Sequence, residues 1–181
     1  MNEFIQFFDQ LDKILIENYL IYIETPVIRK WADYFSLAYI HLIWFVPSVI
    51  YFIIKYKTKC LEFIGVLFIS LIVTSFIIDF LKDLTLRPRP ITFFDIQLGM
   101  KYDSFPSAHA GNSFTIATIY SFYFRYFYYF VLLAAILISL SRILNLKHYP
   151  SDILVGAIIG ILCGILVRFV YNKIKTIKYH S

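Results

Sequence analysis

Charged residues are scarce in this chain: Asp, Glu, Lys and Arg make up 16% of its 181 residues, where soluble domains carry about a quarter. Cysteine is nearly absent as well. Cys60 and Cys163 cannot build a disulfide framework, and Cys163, inside an apolar run, reads as a small core residue. The first twenty residues lack an uninterrupted apolar stretch, because Glu3, Asp9, Asp12 and Glu17 break it; no cleavable leader is expected there. There is no low-complexity segment and no clear repeat. The net charge of +5 has no clustered basic face behind it. Lys and Arg are scattered among apolar segments, so nucleic acid is not an expected partner.

Apolar and aromatic surface is abundant. Hydrophobic residues make up 60%, with 19 Phe and 15 Tyr, and mean hydropathy is +0.71. The expected partner is the lipid bilayer. The expected fold class is all-α, a polytopic transmembrane helix bundle forming one domain over 1–181. Five apolar runs, 34–54, 61–81, 108–124, 128–146 and 153–172, each approach the roughly 20 residues a span needs. Pro47 falls inside the first and is expected to kink it. Ahead of them, 2–20 sets Phe4, Phe7, Phe8, Leu11 and Leu15 at helical spacing, with Glu3, Gln6, Asp9, Gln10 and Lys13 on much of the other face. Such an amphipathic helix either lies in the membrane interface or packs on the bundle surface; counted as a span, it is a sixth.

Short connections make neighbouring helices antiparallel, and 82–107 is the one long loop. Five spans put 55–60, 125–127 and 173–181 on one side, with Lys55, Lys57, Lys59, Arg125, Lys173, Lys175 and Lys178. With the motif residues below set aside, that side is read as cytoplasmic. The loops 82–107 and 147–152 then face the periplasm or cell exterior from an inner (cytoplasmic) membrane. Gly156, Gly160 and Gly164 form a small-residue stripe on the last span. It is read as packing within the bundle, with homodimerisation as the alternative; the oligomeric state is not fixed by the sequence.

Three polar blocks interrupt this apolar chain: Lys82 to Arg89-Pro90, then Pro106-Ser107-Ala108-His109, then Ser141-Arg142 followed by His148 and Asp152. Lys82 ends the second span, His109 begins the third, Arg142 lies in the last turns of the fourth and Asp152 opens the fifth. Antiparallel packing brings these four helix ends to one membrane face. Lys82, Arg89 and Arg142 suit an oxyanion carrying more than one negative charge. Ser107 is expected to cap the third span and turn its free backbone N–H groups toward that anion. No Cys/His metal cluster accompanies them, and no cofactor is expected. Two histidines can divide a displacement at phosphorus between nucleophile and acid/base. Asp152 follows His148 by four residues and shares its face if that turn is helical. It would then orient the ring, which makes His148 the nucleophile candidate and His109 the acid/base.

These blocks resemble the three-part signature of the type 2 phosphatidic acid phosphatase superfamily, which also includes vanadium haloperoxidases and bacterial acid phosphatases. The pattern Lys-x6-Arg-Pro, Pro-Ser-Gly-His, Ser-Arg-x5-His-x3-Asp is met at every position but one. Ala108 stands where the family usually has glycine. The resemblance covers about 82–152 and implies the lipid-phosphatase branch. It implies His148 as nucleophile, Asp152 as its orienting partner and His109 as acid/base. Lys82, Arg89, Ser107 and Arg142 are implied as phosphate ligands, with the Ala108 N–H joining them.

Other polar residues are set outside the site. Arg87 is expected to be solvated, or alternatively to touch a second phosphate or a headgroup. Ser141 is expected to brace its helix, His41 to make a polar packing contact, and Asp79 and Asp83 to pair with nearby basic residues. The aromatics of 120–129 are read as an interfacial belt, and lipid selectivity is assigned to 91–105 and the helix gaps. The expected function is metal-independent removal of phosphate from a membrane lipid phosphate or pyrophosphate. Candidate substrates are undecaprenyl pyrophosphate, phosphatidylglycerol phosphate, phosphatidic acid and lipid A 1-phosphate. The alternatives are phosphotransfer to another lipid, or a non-catalytic phospholipid-binding or transport protein.

Overall fold

A computed structural model of the chain describes residues 3–16, 18, 25–35, 42–55, 57–90 and 103–180. Among them all regular structure is helical: α1 (Glu3–Leu15), α2 (Pro26–Phe35), α3 (Leu42–Lys55), α4 (Lys57–Thr85), α5 (Ala108–Tyr123), α6 (Arg125–Leu144) and α7 (Pro150–His180). Among the described residues, three stretches are long and apolar enough to cross a membrane: Lys59–Thr85, Arg125–Leu144 and Pro150–Lys178. Their outer faces carry bare Phe68, Phe76, Tyr126, Leu162 and Phe169, surface that only lipid would solvate well. α3 has 14 residues and contains Pro47, and α5 has 16. Neither reaches the length of a full span by itself.

The short α5 is the central helix, packed against α4, α6 and α7. Its sequence explains that position. Ala110, Gly111, Ser113, Thr115 and Ala117 are small and buried, so other backbones can approach closely. The glycine stripe of α7 meets this face. A Cβ at Gly156 would stand 2.5 Å from the Ser107 carbonyl oxygen, one at Gly160 would collide with the Gly111 carbonyl, and one at Gly164 would lie 2.9 Å from Thr118 Cγ2. Thr115 Oγ1 also donates to the Gly160 carbonyl at 3.1 Å. The stripe is spent on packing inside the bundle.

At the far end from the motif loops, Tyr120 and Phe124 are buried with Phe63, which meets them edge-on at 5.3 and 5.2 Å. Those two aromatics belong to the core and not to an interfacial belt. The α5–α6 corner turns at Phe124 and drives both rings inward, while Phe122, Tyr126 and Tyr129 stay exposed. Beside this corner, Glu62 on α4 accepts from Arg168 Nη1 at 2.6 Å, Lys175 Nζ at 2.7 Å and Tyr123 Oη at 3.0 Å. Pairing of this kind is what lets charge persist at membrane depth. Asp79 and Asp83 are exposed and make no ion pair with a described residue.

α1 packs on the bundle through Asp12, which is buried against the first turn of α7. Leu11, Ile14 and Leu15 face outward. The glycine contacts predict a contrast between two substitutions. Gly160→Ala is expected to cost about 1–3 kcal/mol or more, since two backbones must separate. Gly65→Ala, with open space around its Cβ, is expected to stabilise by about 0.5–1 kcal/mol. Thermal melts of the two purified variants check this; equal melting temperatures would refute it.

Candidate active site

Four helix ends build the site, and each is shaped by local chemistry. α4 closes with Leu86 in the left-handed region, φ 45°, its N–H donating to the Lys82 carbonyl at 3.0 Å. α6 closes the same way with Leu146, φ 51°. A non-glycine residue there costs about 1 kcal/mol. The turns aim Arg87 and His148 back toward the bundle axis. The Arg142 carbonyl accepts from the N–H groups of Lys147 and His148 at 3.0 and 3.2 Å, tying the histidine to the end of α6. Ser107 is the N-cap of α5 and accepts from the Ala110 N–H at 3.5 Å. Pro150 opens α7 in the position where its missing N–H costs nothing. From the first turn, Asp152 Oδ2 reaches back to the Tyr149 N–H at 2.8 Å, half of a capping box. The Ser107 N–H donates to the Asp152 carbonyl at 3.0 Å, joining the starts of α5 and α7.

His148 is buried but sits in the turn before α7 and not on its face. Its Nδ1 lies 2.8 Å from the Ser104 carbonyl oxygen. A carbonyl only accepts, so Nδ1 carries the proton and Nε2 keeps its lone pair. Asp152 Oδ2 stands 3.6 Å from Nδ1, too far to hydrogen-bond and near enough to act as a charge. The tautomer is therefore set by a backbone carbonyl that sequence spacing does not reveal. Burial pushes the imidazole below its ordinary titration range and Asp152 pulls it partly back, while Arg142 and Arg89 reinforce the downward shift. The ring is neutral at neutral pH.

Arg87 is the main correction to the sequence reading. It is buried, not solvated. Its Nη1 donates to Asp152 Oδ1 at 2.5 Å and to Ser151 Oγ at 2.8 Å, and its Nη2 meets Asp12 at 2.8 Å and Asp9 at 2.5 Å. Its guanidinium lies 4.3 Å from the centre of the Tyr149 ring. Burial opposes the charge, but the carboxylates of Asp152, Asp12 and Asp9 outweigh it and hold Arg87 above its ordinary range. The sequence hides this because one carboxylate partner is 65 residues away and the other two lie in α1. Ser104, also missed, donates its hydroxyl to Asp152 Oδ2 in a short contact.

The candidate phosphate ligands surround this core. Lys82 Nζ and Arg89 Nη2 share the carboxylate of Asp103, at 3.6 and 2.9 Å. Arg142 is half-buried at the end of α6. The buried Nε–H groups of Arg89 and Arg142 have no hydrogen-bond acceptor among the described residues. Ala108 and His109 are the first two residues of α5, both half-buried. Ser141 bonds within its own helix, its hydroxyl donating to the Ile138 carbonyl at 2.7 Å. Among the described residues no group of three or more His, Cys, Asp or Glu side chains is placed to hold a metal ion. His41 and residues 91–102, part of the segment assigned to lipid selectivity, lie outside the described residues.

The model of the PAP2 superfamily matches residues 63–175, more than half of the chain. The chain belongs to the PAP2 superfamily. It is 30% identical over 176 residues to a lipid A 4'-phosphatase of Bacteroides thetaiotaomicron, an alignment covering 88% of this chain and 78% of that protein. A lipid A 1-phosphatase of Porphyromonas gingivalis is 38% identical over 80 residues, 42% of this chain and 18% of the relative. The crystal structure of LpxE from Aquifex aeolicus superposes with a TM-score of 0.65 at 28% identity, covering 87% of this chain and 92% of that one. A transmembrane PAP2-type phosphatidylglycerolphosphate phosphatase from Bacillus subtilis superposes at 0.67 with 19% identity, over 96% and 89% of the two chains, and supports the fold. Family and relatives together make the chain a multi-pass membrane enzyme of the lipid phosphatase class.

Asp103 generates a prediction for this PAP2 site. A phosphate held by Lys82 and Arg89, the role expected of them from the sequence, would have to displace the Asp103 carboxylate that pairs with both. Asp103→Asn is expected to lower KM and the vanadate inhibition constant about three- to tenfold with kcat little changed, because a competing like charge is removed. Weaker vanadate binding in Asp103→Asn would show instead that the carboxylate helps to hold substrate.

Proposed function

We propose that this PAP2 enzyme hydrolyses a membrane lipid phosphate or pyrophosphate through a phospho-histidine on His148, with no metal in the reaction. The observation that carries the reading is the bond between His148 Nδ1 and the Ser104 carbonyl, 2.8 Å long. It leaves Nε2 as an unprotonated nucleophile in a neutral ring. The Nε2 lone pair attacks phosphorus and the bond from phosphorus to the lipid oxygen breaks. His109, at the start of α5, gives that oxygen a proton. Asp152 offsets the positive charge the phosphorylated ring acquires. Water then attacks phosphorus, His109 takes its proton, the P–N bond breaks and inorganic phosphate leaves. Lys82, Arg89, Arg142, Ser107 and the Ala108 N–H hold the phosphoryl oxygens as charge shifts. The reading gains support from the unused Nε–H groups of Arg89 and Arg142.

Among the candidate lipids, a lipid A phosphate is favoured, because the two curated relatives are a lipid A 4'-phosphatase and a lipid A 1-phosphatase. The architecture proposed is one domain over 1–181 in the inner membrane. Five spans cross it, with α3 completing the first and α5 forming the third. The motif face opens to the periplasm or cell exterior. A reporter fused after Ser181 is expected to behave as cytoplasmic, and an active alkaline phosphatase fusion there would reverse the topology.

The mechanistic test is phosphate release from a lipid panel in detergent with EDTA, followed by quenching under non-acidic conditions and mapping of the labelled peptide. Label is expected on His148, with His148→Ala inactive. His109→Ala is expected to spare activated aryl phosphates more than alkyl phosphates. Label on His109, or turnover abolished by EDTA, would overturn the assignment. The pH profile gives an independent check. A nucleophilic histidine whose titration is depressed stays neutral below pH 6.5, its ordinary value. The acid limb of kcat/KM is therefore expected below about pH 6.5, with activity lost only as pH falls through the depressed value. A limb above pH 7 would contradict it.

A further inference from the structure

Asp12 belongs to no catalytic motif, yet it is nearly as buried as Asp152. It is 2% exposed, Arg87 is 6% and Asp152 is 0%. One guanidinium is divided between two edges. Nη1 serves Asp152 and Ser151, and Nη2 serves Asp12 and Asp9. Facing Asp152 alone, Arg87 would neutralise it, and His148 would have no net counter-charge behind it. The α1 carboxylates Asp12 and Asp9 neutralise the guanidinium from its other edge and leave the cluster net negative behind His148. In so buried a cluster that charge is weakly screened. Asp12 also grips the first turn of α7 directly. Its Oδ1 accepts from the Ser151 N–H at 3.1 Å, and its Oδ2 accepts the Ser151 hydroxyl in a short contact. Ser151 immediately precedes Asp152. Meanwhile Leu11, Ile14 and Leu15 on the same helix point outward.

We propose that Asp12 is a positioning residue for the reaction: through Arg87 and Ser151 it sets the place of Asp152 and the share of its charge that reaches His148, making α1 a working part of the site. The inference rests on the phosphatase reading above. The groups acting on His148 are Asp152 from α7, Arg142 from α6 and Arg89 from the α4–α5 connection. Those acting on Arg87 are Asp152, Asp12 and Asp9. Loss of the Asp12 charge lets Arg87 bind Asp152 more completely. The potential at His148 becomes more positive, so the imidazolium is less stable and protonation requires a lower pH. The same change withdraws stabilisation from the phosphorylated ring.

The test uses the full chain in detergent, with the lipid the wild type turns over fastest. Asp12→Asn is expected to reduce kcat about tenfold, leave KM within about twofold, and move the acid limb of kcat/KM to lower pH. Asp12→Glu, which keeps the charge, is expected to retain the wild-type limb. Asp9→Asn is expected to move it in the same direction by less. A second readout needs no turnover: the 15N titration of the His148 ring, assigned by its loss in His148→Gln, is expected to shift downward in Asp12→Asn. A lower melting temperature with an unmoved limb and an unmoved 15N titration would make Asp12 merely structural and overturn the proposal. A wild type releasing no phosphate from any lipid would sink the phosphatase reading instead, and the 15N titration would still decide the role of Asp12.

Discussion

A carboxylate with no access to water governs the motif face. Asp152 is fully buried at the first turn of α7, and an isolated charge there would cost several kcal/mol or would simply take up a proton. The surrounding chain supplies compensation from four directions: the Arg87 guanidinium, the Ser104 hydroxyl, the Tyr149 N–H and the nearby His148 ring. Removing one partner of such a buried pair costs about 3–5 kcal/mol. The left-handed turns at Leu86 and Leu146, each strained, are explained by this demand, because they deliver Arg87 and His148 to the carboxylate.

The same carboxylate explains how the segment leading into α5 keeps its place without secondary structure of its own. Segment 103–107 is tied to the exit of α4 by the Ser104 N–H to the Arg87 carbonyl at 2.9 Å and by Thr85 Oγ1 to the Phe105 carbonyl at 3.0 Å. It is tied to α7 through Ser104 and Ser107. Loop backbone therefore becomes a fixed wall, and one of its carbonyls can dictate a histidine tautomer.

Much of this was legible in the sequence, for identifiable reasons. Lys82, His109, Arg142 and Asp152 were placed at helix ends because apolar runs mark helices and polar blocks mark their limits. Ser107 was legible as a cap because a serine before a helical run has one common use. The glycine stripe was legible because small residues at four-residue spacing admit a neighbour. What escaped was everything that depends on contact between distant segments. Arg87 looked solvated because its partners lie in α1 and α7. Ser104 and Asp103 belong to no pattern. Tyr120 and Phe124 were mistaken for interfacial residues because composition cannot tell an aromatic that faces lipid from one at a helix corner. The runs read as the first and third spans hold helices of 14 and 16 residues, α3 and α5.

The contact between α5 and α7 runs through glycine, with carbonyl oxygens where side chains would otherwise intervene. Side-chain interfaces can slide or breathe as rotamers change, but two backbones in direct contact have no such slack. The two helices carrying His109 and Asp152 thus form a rigid beam inside a bundle whose other surfaces meet fluid lipid. Bilayers of different thickness can tilt α4 and α6 to match, while the spacing of the helix starts that carry the site stays as the glycines set it.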